Sequence, residues 1–177
     1  MNIQEYLDET KECITQLECQ KHTIDNIVKL IDESDTIFIC GNGGSAATAS
    51  HMVNDLVKMI GKKSYCLSDN VPTLTAYAND IGYGTVFYEP LYTLGNDRDL
   101  LIVISGSGNS ENIIAAIDQA ITTGMKTVAF LGLDGGEILE HKLADKILHI
   151  ETDMLHSEDI HLLVAHCIME QLMELKK

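Results

Sequence analysis

His51 and Asp55 stand four residues apart in the stretch GNGGSAATASHMVNDLV, and on a helix that spacing puts an imidazole and a carboxylate on one face. Near the other end, HSEDIHLLVAHC carries His156, Glu158, Asp159, His161 and His166, so that three of the chain's seven histidines fall within eleven residues. Helical geometry sets Asp159 and His166 on nearly one face, with Glu158 a quarter-turn away. Imidazoles and carboxylates grouped in this way can move protons near neutral pH or coordinate a divalent metal. The plain alternatives are an exposed ion pair for His51 and Asp55, and hydrogen-bonded core histidines in the C-terminal segment.

Two loops of small residues accompany these groups. GNGGSA (41–46) follows an apolar run, and SGSGNS (105–110) follows another and opens a helical pattern. Small residues let a ligand approach the backbone, a helix start offers unpaired N–H groups, and Ser105, Ser107 and Ser110 add hydroxyls, which together make a neutral anion cradle. A tight turn followed by an N-cap is the bland account of the same residues. GNGGSA also satisfies the dinucleotide pattern G-x-G-x-x-A, with Asp69 as the ribose carboxylate. The long spacing to Asp69, the shortness of the chain and the second serine-rich loop weigh against that use.

The elements that must position these groups alternate. Five short, unalternating apolar runs, TIFIC (36–40), SYCLS (64–68), LLIVIS (100–105), TVAFLG (127–132) and KILHIE (146–151), have the character of strands buried on both faces. Helical patterns lie between them at 45–60, in parts of 72–94, and at 109–124, 136–141 and 156–175. Apolar positions from Ile3 to Ile31 predict a long amphipathic helix, broken once near residues 20–23. Alternation predicts a parallel sheet with helices on both faces, and ligands bind off the carboxyl ends of such strands, where both small-residue loops fall.

The totals narrow the function. The chain has 177 residues, 45% of them hydrophobic, enough for one core without staples. A net charge of −15 excludes a basic surface for nucleic acid but leaves phosphate held by backbone N–H groups open. Five cysteines without C-x-x-C spacing read as reduced thiols, and the first residues lack the order of a signal peptide. No apolar run approaches the ~20 residues of a membrane span. These features predict a soluble cytoplasmic protein.

In order, G-N-G-G-S-A (Gly41 to Ala46), His51 with Asp55, A-N-D-x-G-Y (Ala78 to Tyr83), I-S-x-S-G-N-S (Ile104 to Ser110), G-x-D-G-G (Gly132 to Gly136) and the Glu158–His161–His166 series resemble the phosphoheptose isomerases, a branch of the sugar isomerase (SIS) domain family. The resemblance covers nearly the whole chain. It implies a single SIS domain over 1–177, an α/β three-layer sandwich with a flavodoxin-like five-stranded parallel sheet (35–177) and a long N-terminal helical segment (1–34) that packs between subunits of a homotetramer. The implied reaction interconverts sedoheptulose 7-phosphate and D-glycero-D-manno-heptose 7-phosphate through an enediol(ate). Asn42, Gly43, Gly44, Ser45, Asn79, Asp80, Ser105, Gly106, Ser107 and Ser110 would hold the phosphosugar, Asp55 would act as base and His166 as acid. Some members bind zinc through side chains matching His51, Asp55, Glu158 and His166.

The chain departs from that pattern at several points. The base is usually glutamate, and Asp55 is one methylene shorter. Glu158 replaces a usual glutamine, which makes it a second candidate base or an anionic ligand. Gly106 replaces a threonine, and two arginines near the sugar are missing around His156 and Lys58. These changes leave a different heptose or another ketose phosphate as alternatives. The non-enzymatic alternative is a phosphosugar-binding module or a tetrameric protein associated with replication initiation, whose members lack the acid and histidine retained here.

Overall fold

The structure, a computed structural model, describes residues 2–177. The first apolar segment is two helices, α1 (Ile3–Glu18) and α2 (Lys21–Glu33). Asn2 starts α1 as a capping box: its side chain accepts from the amides of Gln4 and Glu5, and Glu5 accepts from the Asn2 amide. The chain breaks at Cys19 and Gln20 because Gln20 is used elsewhere. Its side-chain amide donates to the His149 carbonyl and accepts from the His149 N–H. One turn earlier, Gln16 makes the same reciprocal pair with Glu151.

Beyond α2 the elements run β1 (Ile37–Gly41), α3 (Gly44–Asp55), β2 (Ser64–Cys66), α4 (Val71–Asp80), α5 (Tyr88–Leu94), β3 (Leu100–Ser105), α6 (Glu111–Thr123), β4 (Lys126–Leu131), α7 (Gly136–Glu140), β5 (Lys146–His149) and α8 (Met154–Leu175). The five strands are all parallel, in the order β2-β1-β3-β4-β5. β5 is an edge, and the two glutamines of the N-terminal segment satisfy backbone groups at and just past its end, blunting it as a pairing template. β1 and β3 are buried along their whole length, which explains their unbroken apolar sequences.

Two cores flank the sheet. Ile27, Ile31, Met52, Val164 and Ile168 of α2, α3 and α8 pack on one face, and Phe87, which caps α5, packs on the other with Leu91, Ile113, Ile117 and Ile138 of α5, α6 and α7. α3 does not end cleanly. From Leu56 to Ile60 it widens into a π-helical turn, closed by Gly61 in the left-handed region. The strand order reverses direction between β1 and β3, so the crevice off their carboxyl ends is the topological switch point of the sheet. No helix of the described residues is long and apolar enough to cross a membrane.

Candidate functional site

GNGGS leaves β1 and SGSGNS leaves β3, so the two small-residue loops predicted to bind flank that switch point. They close a cleft lined by Asn42, Ser45, Ser105, Ser107, Ser110 and Glu158, with Met154 at its rim. The serine loop is pre-shaped. The Gly108 amide donates to Ser105 Oγ at 3.0 Å, and Asn109 Oδ1 accepts from the Glu137 amide at 2.9 Å, bracing the loop against α7. Ser110 is the N-cap of α6 yet its side chain makes no capping hydrogen bond, so its hydroxyl and the amides of Glu111 and Asn112 are free to meet an anion, while Ile113 and Ile114 donate to the Ser110 carbonyl.

No lysine or arginine lines this cleft; the chain's one arginine, Arg98, pairs with Asp35 elsewhere. The charge in the cleft is negative. The carboxylate of Glu158 packs on Gly44, the first residue of α3, so closely that any side chain at 44 would collide with it. The positive end of α3 offsets this charge in place of a cation.

A second group of polar side chains lies further along the seam between α3 and α8. His51 Nε2 is 3.2 Å from Asp55 Oδ2, His166 Nε2 is 3.9 Å from the same oxygen, and the two Nε2 atoms face each other at 3.0 Å. Both imidazoles are about half exposed, while the Asp55 side chain is only 13% exposed. The three donor atoms lie within 4.8 Å of one another. Four-coordinate zinc, with bonds of about 2.0–2.1 Å, separates its ligand atoms by about 3.3 Å, so the donor set and its spacing fit such an ion. Two ring nitrogens facing at this distance can share one proton as an N–H···N hydrogen bond or face a common cation.

Of the four residues implied as ligands, Glu158 falls outside this cluster. It sits eight residues before His166 on α8, about 12 Å along the axis, and its carboxylate turns into the serine cleft. Asn79 and Asp80 end α4, hydrogen-bonded to each other and exposed, and do not line the cleft. Asp69 accepts from the Ser50 hydroxyl. His161 is fully buried beside Phe130, and neither ring nitrogen completes a hydrogen bond; burial pushes its pKa down to about 4. His156 is also buried, with Nδ1 on Asp153 and Nε2 on the Tyr6 carbonyl, joining α8 to α1.

One contact in the cleft carries no signal in the spacing of the sequence. Asn112, 3% exposed in the first turn of α6, forms a reciprocal amide pair with Asn42, both bonds at 2.9 Å, and the Tyr83 hydroxyl donates to Asn42 Oδ1 at 3.0 Å. The partners come from positions 70 and 41 residues away, where only the fold brings them together.

Comparison with known proteins gives one answer. The SIS domain family matches residues 4–132. A phosphoheptose isomerase of Helicobacter pylori (strain P12) is 36% identical over 159 residues, covering 86% of this chain and 82% of the relative. A probable phosphoheptose isomerase of Thermoplasma acidophilum is 33% identical over 176 residues, 95% and 96% of the two chains. The solved phosphoheptose isomerase of Neisseria gonorrhoeae superposes with a TM-score of 0.89 at 27% identity, over 96% of each chain. With six motifs in order, the sheet topology and these matches in agreement, the chain belongs to the SIS domain family and, within it, to the phosphoheptose isomerases.

Proposed function

We propose that this chain isomerises sedoheptulose 7-phosphate to D-glycero-D-manno-heptose 7-phosphate. The observation that carries the assignment is the placement of two small-residue loops at the switch point, with a histidine–carboxylate cluster on the seam leading away from it. The phosphate takes Ser105, Ser107, Ser110 and the amides that open α6, with Ser45 and Asn42 across the cleft. Held by that end, the sugar projects its carbonyl carbons along the α3–α8 seam, and fixed orientation is the main contribution of so remote a contact.

Moving a carbonyl from C2 to C1 requires a base that takes a proton from C1 and returns one to C2, and an acid that protonates the C2 oxygen while the C1 hydroxyl gives up its proton. Asp55 is the base and His166 the acid, with His51 holding the Asp55 carboxylate in place. His51, Asp55 and His166 would also hold zinc, which supplies positive charge to the enediolate oxygens. With that ion held, Asp55 would serve as a ligand, and Glu158, without an ion-pair partner among the described residues and already in the cleft, would be the carboxylate left to move the proton.

Two further parts of the reading rest on the surface of the protomer. Ile3, Leu7 and Ile14 of α1 are exposed apolar residues, and the histidine cluster is open to solvent, which supports a homotetramer whose N-terminal helices pack between subunits. All five cysteines are unpaired, three of them buried, which supports a reducing compartment, the cytoplasm.

The test is turnover of sedoheptulose 7-phosphate in D₂O followed by NMR, with and without added zinc, for wild type, Asp55→Asn and Glu158→Gln. Deuterium at C1 of the ketose and C2 of the aldose, with aldose appearing, supports the assignment. Loss of exchange in only one variant names the base. A wild type that binds the sugar without exchanging its protons overturns the enzymatic reading in favour of a sensor.

A further inference from the structure

We infer that Asn112 and Tyr83 are positioning residues that hold the Asn42 amide in place with an N–H facing the substrate. The inference rests on the isomerase reading above. An amide side chain has two N–H donors and an oxygen that accepts twice. In Asn42 both acceptor positions are taken, one by Asn112 Nδ2 at 2.9 Å and one by the Tyr83 hydroxyl at 3.0 Å. One of its two donors goes to Asn112 Oδ1, also at 2.9 Å. A single N–H is left, on a side chain that lines the cleft.

The consequence is chemical selectivity at that atom. A free asparagine can turn over and offer either its oxygen or its nitrogen to a sugar hydroxyl. Asn42 can do so only if the buried Asn112 turns with it and the tyrosine hydroxyl changes from donor to acceptor, because a lone flip would set its NH₂ against the Asn112 NH₂. In the arrangement seen, it presents a donor to an acceptor oxygen of the substrate. That arrangement suits an oxygen on which negative charge grows during enolisation, since a preorganised donor strengthens its bond as charge develops and needs no reorientation. The pair also ties the β1 loop to the first turn of α6, so both walls of the cleft keep one register. Asn112 is buried and does not itself reach the cleft, so its effect on catalysis passes through Asn42.

The experiment is a pair of double-mutant cycles in the full-length protein: Asn42→Ala with Asn112→Ala, and Asn42→Ala with Tyr83→Phe. Each single variant should lower kcat by about tenfold or more with KM little changed, the pattern of an interaction strongest in the transition state. In each double variant the loss should equal that of Asn42→Ala alone, because the second residue has nothing left to orient. Losses that multiply, or a Tyr83→Phe enzyme with wild-type kcat, overturn the inference. Tyr83 is half exposed, so the phenylalanine variant decides the matter even where Asn112→Ala fails to fold. A readout independent of turnover is the NMR cross-peaks of the Asn42 side-chain amide, identified by their loss in Asn42→Ala. Removal of the Tyr83 hydroxyl should shift them and speed proton exchange; unchanged peaks count against the clamp even in a protein that turns over no heptose.

Discussion

At the scale of single residues, the carboxylates and histidines have separate duties that substitution can pull apart. Asp55→Asn keeps the shape of the side chain but removes its charge from between His51 and His166. We expect activity to fall by at least about a hundredfold and the rise in melting temperature on adding zinc to disappear. A variant that loses activity but keeps the zinc-induced rise would remove Asp55 from the ligands. His161 and His156 make opposite demands on pH. Burial holds His161 near 4, while an unfolded histidine titrates near ~6.5, so the unfolded chain binds the extra proton and stability falls as pH drops between those values. The loss totals about 3 kcal/mol. Burial alone would also lower His156, but the Tyr6 carbonyl and Asp153 outweigh it and raise its pKa, so its contribution is full below the unfolded value and is lost as pH rises through the folded one. Together they place maximal stability near the ordinary histidine range. His161→Leu, which removes two unbonded ring nitrogens from the core, should flatten the acid limb and raise the melting temperature at neutral pH. An acid limb unchanged in that variant would assign the loss to another group.

At the scale of elements, the serine loop depends on one backbone position. Gly108 has φ of +65°, and a Cβ there would run into the carbonyl of Gly135, the residue before α7. Gly108→Ala therefore combines left-handed strain with a collision against backbone that cannot move aside without dragging α7. We expect a destabilisation of about 2 kcal/mol or more, read as a drop in denaturation midpoint, together with weaker phosphosugar binding. Wild-type affinity in that variant would mean the loop does not shape the anion cradle. Most of this scaffold was readable beforehand. LLIVIS and TVAFLG are strands covered on both sides, and the loops after the first and third runs meet at the switch point, because the rule linking ligands to carboxyl ends needs only element order. What escaped was non-local or subtle. The pattern over 45–60 read as one helix, since a π turn at Leu56–Ile60 shifts hydrogen bonds by one residue without disturbing apolar spacing. Resemblance groups Glu158 with the metal residues, whereas its side chain turns toward the start of α3. Asn112 looked like any polar residue in a first helical turn, and Gln16 and Gln20 like any exposed glutamines, because their partners lie far away in sequence.

At the scale of the molecule, charge and exposed apolar surface work against each other. A net charge of −15 is carried with one arginine and few ion pairs, most of them on exposed side chains worth little. Assembling four such chains concentrates negative charge, while the exposed face of α1, with Ile3 at 80% and Leu7 at 49% exposure, gains by being covered. Salt screens the first term and leaves the second, since the Debye length shrinks from about 30 Å at 0.01 M to about 10 Å at 0.1 M. The proposed tetramer should therefore fall apart on dilution at low ionic strength and re-form as salt is added, which light scattering across a salt series would follow. Leu7→Glu adds charge and removes apolar area from the face to be covered, so it should shift the mass toward smaller species at every salt concentration. Because Tyr6, the neighbour of Leu7, is tied through its carbonyl to His156 and through its hydroxyl to Asp159 on α8, loosening that face should also reach the helix that bears His166. Activity should then fall in parallel with mass. A Leu7→Glu protein that keeps both its mass and its activity would place the subunit contact on another face.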